Sequence, residues 1–205
     1  KASWYWVFGL AAITLFALVA AAMVTNVAAA FYIFLGAFTY GIVYTVWLKR
    51  RTWMNIVIGG LAGSFAVMAG AAAVGETFAP APVLMAVVLF LWTPPHFWAL
   101  AYACKDDYAS AGVPLLPVVA PEPVAMWAIV GHTVVLVALS LALVFYGMGW
   151  IYLIAAAAGG AYFLRESLRL ALQPSTKNAW RTFAASIVQL GLLLTGAIID
   201  NLVLG

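Results

Sequence analysis

The chain of 205 residues is 67% hydrophobic and only 7% charged, with a net charge of +3. A composition this apolar excludes a soluble globular core and indicates a polytopic membrane protein whose surroundings are a lipid bilayer. The nine basic residues are scattered between apolar runs and form no stripe or groove, which excludes nucleic acid as a partner. The single cysteine, Cys104, excludes an internal disulfide and a cysteine-based metal cluster.

Apolar stretches long enough to cross a bilayer recur along the chain, since a spanning helix needs about 20 residues. They predict an all-α transmembrane helix bundle, a single domain over residues 1–205. The seven predicted spans lie near residues 4–24, 28–48, 56–74, 82–104, 124–146, 148–168 and 182–204. Arg165 falls in the last turn of the sixth span and must extend its charged end to the interface.

The basic residues predict the orientation of the bundle. If the seven spans alternate, one side receives all nine: Lys1, Lys49, Arg50, Arg51, Lys105, Arg165, Arg169, Lys177 and Arg181. By the positive-inside rule this side is cytoplasmic, with the N-terminus inside and the C-terminus outside. The chain opens on Lys1 and enters an apolar helix without the features of a signal peptide, so we expect residues before Lys1.

The stretch from Trp92 to Val119 contains the least lipid-compatible residues. Pro94 and Pro95 remove backbone donors, which predicts a broken helix that faces a pocket. If the helix resumed after the pair, His96 and Asp107 would share one face. An intramembrane histidine such as His96 indicates either a functional site or a hydrogen-bonded packing residue.

Two polar groups near the predicted basic side favour anion and metal chemistry. Lys49, Arg50, Arg51 and Asn55 suit a diphosphate or a carboxylate. The alternative is a membrane anchor for anionic lipid, which explains the charges but not the amide. The second group is Lys105, Asp106, Asp107 and Tyr108, whose adjacent carboxylates suit Mg²⁺ held together with substrate phosphates. Its alternative is a solvated helix end. For the third group, Arg165 to Arg181, we favour a role in orientation alone.

Three sequence blocks resemble the protohaem IX farnesyltransferases, which are UbiA-type intramembrane prenyltransferases. The blocks are YTVWLKRRTWMNIVIGGLAG (44–63), LFLWTPPHFWALA (89–101) and KDDYASAGVPLLPVV (105–119). Members of this family are similar nine-helix bundles with a central cavity and two aspartate-rich loops. The resemblance implies that the chain matches helices three to nine and the second acidic loop. The first two helices and the first acidic motif are not in it, so we expect this fragment alone to be inactive.

The resemblance also implies a reaction and a set of roles. Farnesyl diphosphate would donate its farnesyl group to a vinyl group of haem B, giving haem O. Asp106 and Asp107 would bind Mg²⁺, and Lys105 and Tyr108 would complete the catalytic loop. The diphosphate or the haem propionates would contact Lys49, Arg50, Arg51 and Asn55. The haem or cavity wall would include His96, Trp92 and Trp98. The aromatic faces of Trp92, Phe97 and Trp98 could stabilise a developing cation.

The compact chain favours the bacterial inner membrane over the mitochondrial one. The resemblance makes a haem A synthase or an oxidase-assembly protein a candidate partner. Two other functions fit the sequence. One is a UbiA-type enzyme that prenylates a quinone precursor, against which the Trp-Thr-Pro-Pro-His block argues. The other is a non-catalytic transport or haem-handling protein, since broken helices and buried histidines also occur at transport sites.

Overall fold

The computed structural model describes residues 4–204, which form helices and no strands. The α-helices are α1 (Trp4–Val24), α2 (Val27–Phe38), α3 (Asn55–Gly59), α4 (Leu61–Ala73), α5 (Pro80–Ala103), α6 (Lys105–Ser110), α7 (Leu116–Val119), α8 (Glu122–Ala142), α9 (Trp150–Leu172) and α10 (Thr176–Leu204). A π-helical segment, Thr39–Leu48, continues α2, and a 3₁₀ turn, Leu143–Tyr146, continues α8. The predicted all-α class is confirmed. Lys1, which entered the orientation argument, lies outside the described residues.

Six stretches of the described chain are long and apolar enough to cross a membrane. They are Trp4–Val24, Val27–Leu48, Asn55–Ala73, Pro80–Ala103, Glu122–Tyr146 and Thr176–Leu204. The remaining long helix, α9, has 23 residues but carries Arg165, Glu166 and Arg169 near its end. These charges lower its hydropathy, so length and composition support six spans and do not confirm the seventh.

Contacts between helix ends show which turns share an end of the bundle. At one end, Asn26 Nδ2 donates a hydrogen bond of 2.7 Å to the carbonyl of Ala72. At the other, the hydroxyl of Tyr102 donates to Glu122 Oε2 at 2.6 Å. The second end holds the turn after the π segment, helices α6 and α7, and the turn between α9 and α10. We call it the basic end, because the lysines and arginines of the described chain concentrate there.

Helix α5 corrects the prediction of a break at the proline pair. It runs without interruption from Pro80 to Ala103, with Pro94 and Pro95 buried inside it. A proline removes its own backbone donor and crowds the carbonyl of the preceding turn, and packing from neighbouring helices can offset both effects. The helix ends instead at Cys104, whose φ of −115° and ψ of 37° are not helical. The Asp107 side chain therefore belongs to a new helix, and the shared face with His96 does not form.

The core at the basic end joins segments that are distant in the chain. Its buried members come from α3, α5, the loop after α6, and helices α7 to α10: Ile56, Trp98, Ala101, Val113, Leu115, Leu116, Ala125, Met126, Ile129, Leu170 and Ala179. Tyr44 of the π segment and Tyr108 of α6 pack against this same cluster. Burial of these apolar side chains thus holds the basic turn and the acidic helix at one end of the bundle.

Candidate active site at the basic end

Hydrogen bonds in the π segment and at its end join residues five positions apart. The Lys49 amide donates to the Tyr44 carbonyl at 2.8 Å, and Thr45 Oγ1 donates to the Tyr40 carbonyl at 2.7 Å. The rings of Tyr40 and Tyr44 stack with centroids 5.8 Å apart. Lys49 Nζ lies 5.9 Å from the Tyr44 ring centroid, within cation–π range. Wide turns of this kind are frequent at functional sites.

The side chain of Asn55 stabilises the basic turn that contains Lys49, Arg50 and Arg51. This side chain is 0% exposed, and Nδ2 donates to the Lys49 carbonyl at 2.9 Å. Because that carbonyl needs a donor, the bond assigns the nitrogen of the amide and leaves Oδ1 as the free acceptor. Oδ1 has no protein partner in the part of the chain described here. Arg50 and Arg51 are exposed on the turn that this contact closes.

A cavity of about 280 Å³ lies between the π segment, α3, α4 and α5. Most of its lining residues are aromatic, apolar or glycine, and the exceptions are Lys49 and Thr93. The full lining is Tyr40, Tyr44, Lys49, Ile56, Gly59, Gly60, Ala62, Gly63, Thr93 and Phe97. Lys49 is the charged member of that lining, and it lies at the basic end. The arrangement suits a ligand with an apolar body and an anionic head.

The acidic helix α6 lies at the same end of the bundle. Asp106 and Asp107 are exposed in its first turn, where the helix dipole favours negative charge. Neither forms an ion pair within residues 4–204. Lys105 is exposed, whereas Tyr108 is partly buried. Burial, and secondarily Cys104, raises the pKa of Tyr108, so its phenol stays neutral and can donate a hydrogen bond at neutral pH.

The two carboxylates fit a metal that is shared with a substrate. In the described residues, no cluster of three or more His, Cys, Asp or Glu side chains could hold a metal ion by itself. Mg²⁺ is usually bound by one or two carboxylates together with phosphate oxygens and water. The adjacent, exposed Asp106 and Asp107 provide that number of carboxylates.

His96 lies in a stack of rings between α5 and α10. Its centroid is 4.2 Å from that of Trp92 and 4.5 Å from that of Phe183. Nδ1 lies 2.7 Å from Ser186 Oγ, and Trp92 Nε1 donates to the Ser186 carbonyl at 3.0 Å. The ring is 8% exposed, one residue away from the cavity wall at Phe97.

Trp98, predicted to line the haem or cavity wall, packs in the core of the basic end. It is 1% exposed, and its ring forms an edge-to-face pair with the His132 ring, with centroids 5.0 Å apart. The Nδ1 atom of His132 lies 2.9 Å from the Ala128 carbonyl of its own helix. The cavity lining contains neither ring.

The sequence did not single out Ser186, Phe183, Tyr40 or the cavity role of Gly63. Ser186 and Phe183 lie in a long apolar helix about ninety residues from His96, and no local pattern marks them as its neighbours. A glycine in a membrane helix ordinarily indicates close helix packing, so nothing in the sequence marks Gly63 as a cavity residue. Tyr40 and Tyr44, four residues apart before a basic run, are the one pattern that could have indicated the cavity.

The third basic group belongs partly to an ion-pair cluster on α9. Arg169 Nη1 donates to both carboxylate oxygens of Glu166, at 2.9 and 2.8 Å, and Glu166 is 3% exposed. Arg165 lies 3.6 Å from the same carboxylate but is largely exposed. Arg169 therefore has a structural partner in addition to any role in orientation.

Comparison with known proteins identifies the family of the chain. Residues 3–192 match the UbiA prenyltransferase family. The chain is 54% identical over 200 residues to protoheme IX farnesyltransferase 2 of Paramagnetospirillum magneticum, covering 98% of this chain and 69% of that protein. Protoheme IX farnesyltransferase 1 of the same organism is 49% identical over 86% of this chain and 62% of its own length.

A more distant relative, the protoheme IX farnesyltransferase of Metallosphaera sedula, is 42% identical over 95% of this chain and 67% of its own length. The chain thus spans about two thirds of these relatives. No solved structure matches it at a significant level. The match over most of the chain, on a helical bundle with a cavity and paired carboxylates at one end, shows that the chain belongs to the UbiA prenyltransferase family.

Proposed function

We propose that this protein transfers the farnesyl group of farnesyl diphosphate to a vinyl group of protohaem IX, giving haem O. The allylic carbon–oxygen bond breaks and diphosphate leaves. The vinyl group captures the farnesyl carbon, water adds to the adjacent carbon, and one proton is released. The product carries a hydroxyethylfarnesyl group in place of the vinyl group.

One observation carries the proposal. The cavity with Lys49 at its charged end and the exposed pair Asp106 and Asp107 lie at the same end of the bundle, joined by one core. Prenyl transfer needs anion binding beside an apolar cavity, since a diphosphate must leave an isoprenoid chain. The relatives named above support haem as the acceptor.

The residues divide the chemistry between them. Asp106 and Asp107 would hold Mg²⁺, which would supply positive charge to the leaving diphosphate. Lys49 adds a cation at the cavity, and the exposed Arg50 and Arg51 extend the basic surface next to it. Asn55 fixes the carbonyl of Lys49 and so orients the turn.

The walls of the cavity protect the reactive carbon. The faces of Tyr44 and Phe97 can stabilise an allylic cation, and the apolar lining excludes water until capture. His96 is assigned to the boundary between this cavity and the haem. Its Nδ1 is engaged by Ser186, so the orientation of the ring is set before haem binds.

The membrane arrangement follows the same proposal. Helix α9 crosses the membrane as a seventh span with its charged end at the surface, and the seven long helices correspond to helices three to nine of a nine-helix bundle. They form one domain. The basic end faces the cytoplasm of a bacterial cell, by the positive-inside rule. The protein then binds both substrates from the cytoplasmic face of the inner membrane.

The test is an assay of the full-length protein in bacterial membranes with farnesyl diphosphate, Mg²⁺ and haem B. We expect haem O by mass spectrometry, and no prenylated product when 4-hydroxybenzoate replaces haem. Prenylation of the benzoate without haem O formation would identify a quinone-precursor enzyme instead. Binding of haem without any prenyl transfer to either acceptor would identify a haem-handling protein.

A further inference from the structure

We propose that the cavity between the π segment, α3, α4 and α5 holds the farnesyl chain and that Gly63 sets the length of chain it accepts. The inference rests on the proposed function for the diphosphate end of the ligand. It goes beyond that function by assigning the isoprenoid tail to one side of the bundle and by naming a residue that determines donor specificity.

The lining residues lie at successive depths from the basic end. Lys49 begins the series at the surface, directly after the π segment. Tyr44 and Phe97 lie further in, and Tyr40 and Gly63 lie furthest from the basic end on their helices. Gly63 is four residues beyond Gly59, which places it about 6 Å further along the helix axis from the basic end. A ligand whose diphosphate meets Lys49 therefore directs its tail toward Gly63.

The size and lining of the cavity favour a chain over a porphyrin. Its volume of about 280 Å³ lies just below the range of about 300–1,000 Å³ usual for drug-sized ligands. A haem macrocycle exceeds that space and has two propionates to place, whereas this lining has one charged side chain. A single isoprenoid chain with an anionic head satisfies both restrictions.

Gly63 is the cavity glycine that can be enlarged without disturbing the backbone. A Cβ at Gly59 would meet the Tyr44 ring at 2.9 Å, and a Cβ at Gly60 would meet Thr93 at 3.1 Å and the Val57 carbonyl at 3.2 Å. A Cβ at Gly63 would meet only the end of Leu89, at 3.9 Å, an ordinary contact. A side chain at position 63 would therefore extend into the space of the tail.

The experiment measures donor selectivity in the full-length protein in membranes. Wild type, Gly63→Ala and Gly63→Val are assayed with farnesyl and with geranyl diphosphate. We expect Gly63→Val to lower kcat/KM for the farnesyl donor by about tenfold or more while the geranyl value falls far less, because small volume changes in apolar pockets give discrimination of this size. The donor selectivity of Gly63→Ala should lie between those of the wild type and Gly63→Val.

The matched control is Gly70→Val on the same helix. A Cβ there would meet nothing within 4 Å, and the position is exposed. This variant also introduces a valine into α4, so it controls for the effect of valine on the helix itself. Its donor selectivity should equal that of the wild type. If Gly63→Val does not fold, Gly63→Ala alone must shift the selectivity in the same direction.

Binding of unreactive thio analogues of the two donors separates this inference from the proposed function. If no variant makes haem O but Gly63→Val still binds the geranyl analogue in preference to the farnesyl one, the cavity assignment stands and the acceptor was wrong. Equal losses for both donors would overturn the assignment. A raised KM for haem with unchanged donor selectivity would also overturn it and would place the macrocycle here.

Discussion

The imidazole of His96 is bonded to the hydroxyl of Ser186 across the interface of α5 and α10. The Nδ1 to Oγ distance is 2.7 Å, and the Trp92 and Phe183 rings cover the two faces of the imidazole. This geometry combines the two interpretations that the sequence allowed for His96, because a packed and bonded ring can still form the edge of a site. The bond orders the ring, and the aromatic stack excludes water from its faces.

Ser186→Ala tests how much this contact contributes to the stability of the bundle. Removing the hydroxyl leaves a buried imidazole nitrogen without its partner, so the free energy of unfolding should fall by about 1–3 kcal/mol. We expect thermal unfolding in detergent to show that loss. The control is Ser140→Ala, since the buried Ser140 hydroxyl bonds only the Leu136 carbonyl of its own helix. An equal loss in both variants would contradict the special role of the bond to His96.

Asp107→Asn tests the metal site. Asp107 is exposed and forms no ion pair in residues 4–204, so its neutralisation should cost little stability. Turnover of the full-length protein should nevertheless be abolished, and added Mg²⁺ should not restore it. Glu76→Gln, an exposed carboxylate in a turn at the opposite end, is the control and should keep wild-type activity. Normal haem O production by Asp107→Asn would refute the metal role.

Local patterns were sufficient to place most of the elements. Apolar run length located six spans to within a few residues, although α10 begins at Thr176 rather than near residue 182. Alternation of helices then brought the turn after Leu48 and the acidic pair to one end. Both inferences depend on features of the chain that act over a single helix or turn.

Contacts between distant segments were beyond such patterns. The proline pair predicted a break because its lost donors are visible in the sequence, whereas the packing that keeps α5 continuous is not. The bond between His96 and Ser186 and the space beside Gly63 arise only when helices pack. The burial of Glu166 was missed for the same reason.

Lys49→Gln should weaken binding of farnesyl diphosphate. Lys49 is the charged residue of the cavity lining, whereas Arg51 is exposed on the turn beside it. Loss of one charge-assisted contact of about 1.4 kcal/mol raises KM about tenfold. We expect that change in steady-state assays, with Lys49→Arg retaining most of the affinity. Arg51→Gln is the comparison and should change KM less. A larger effect at Arg51 would move the diphosphate site onto the outer face of the turn.

Asp200→Ala should destabilise the end of the bundle opposite the site. Its carboxylate accepts the backbone N–H groups of Gly149, Ile151 and Tyr152 at the start of α9. Losing these charge-assisted bonds should cost about 3 kcal/mol, visible in thermal unfolding. Asn201→Ala, on the exposed neighbour, should be nearly neutral. In the folded fraction of Asp200→Ala, KM for farnesyl diphosphate should be unchanged, and a raised KM would show coupling between the two ends.

The pair of arginines around Glu166 allows a matched test of burial. Arg169 holds both oxygens of the buried carboxylate, whereas Arg165 lies 3.6 Å away with a side chain that is 67% exposed. Arg169→Ala would leave a charge buried without its main partner and should cost about 3–5 kcal/mol. Arg165→Ala removes an exposed ion pair and should cost less than about 1 kcal/mol. Chemical or thermal unfolding of the two variants measures the difference. Because the carboxylate causes the loss, adding Glu166→Gln to Arg169→Ala should restore part of the stability, and no recovery would show that Arg169 acts through its aliphatic packing instead.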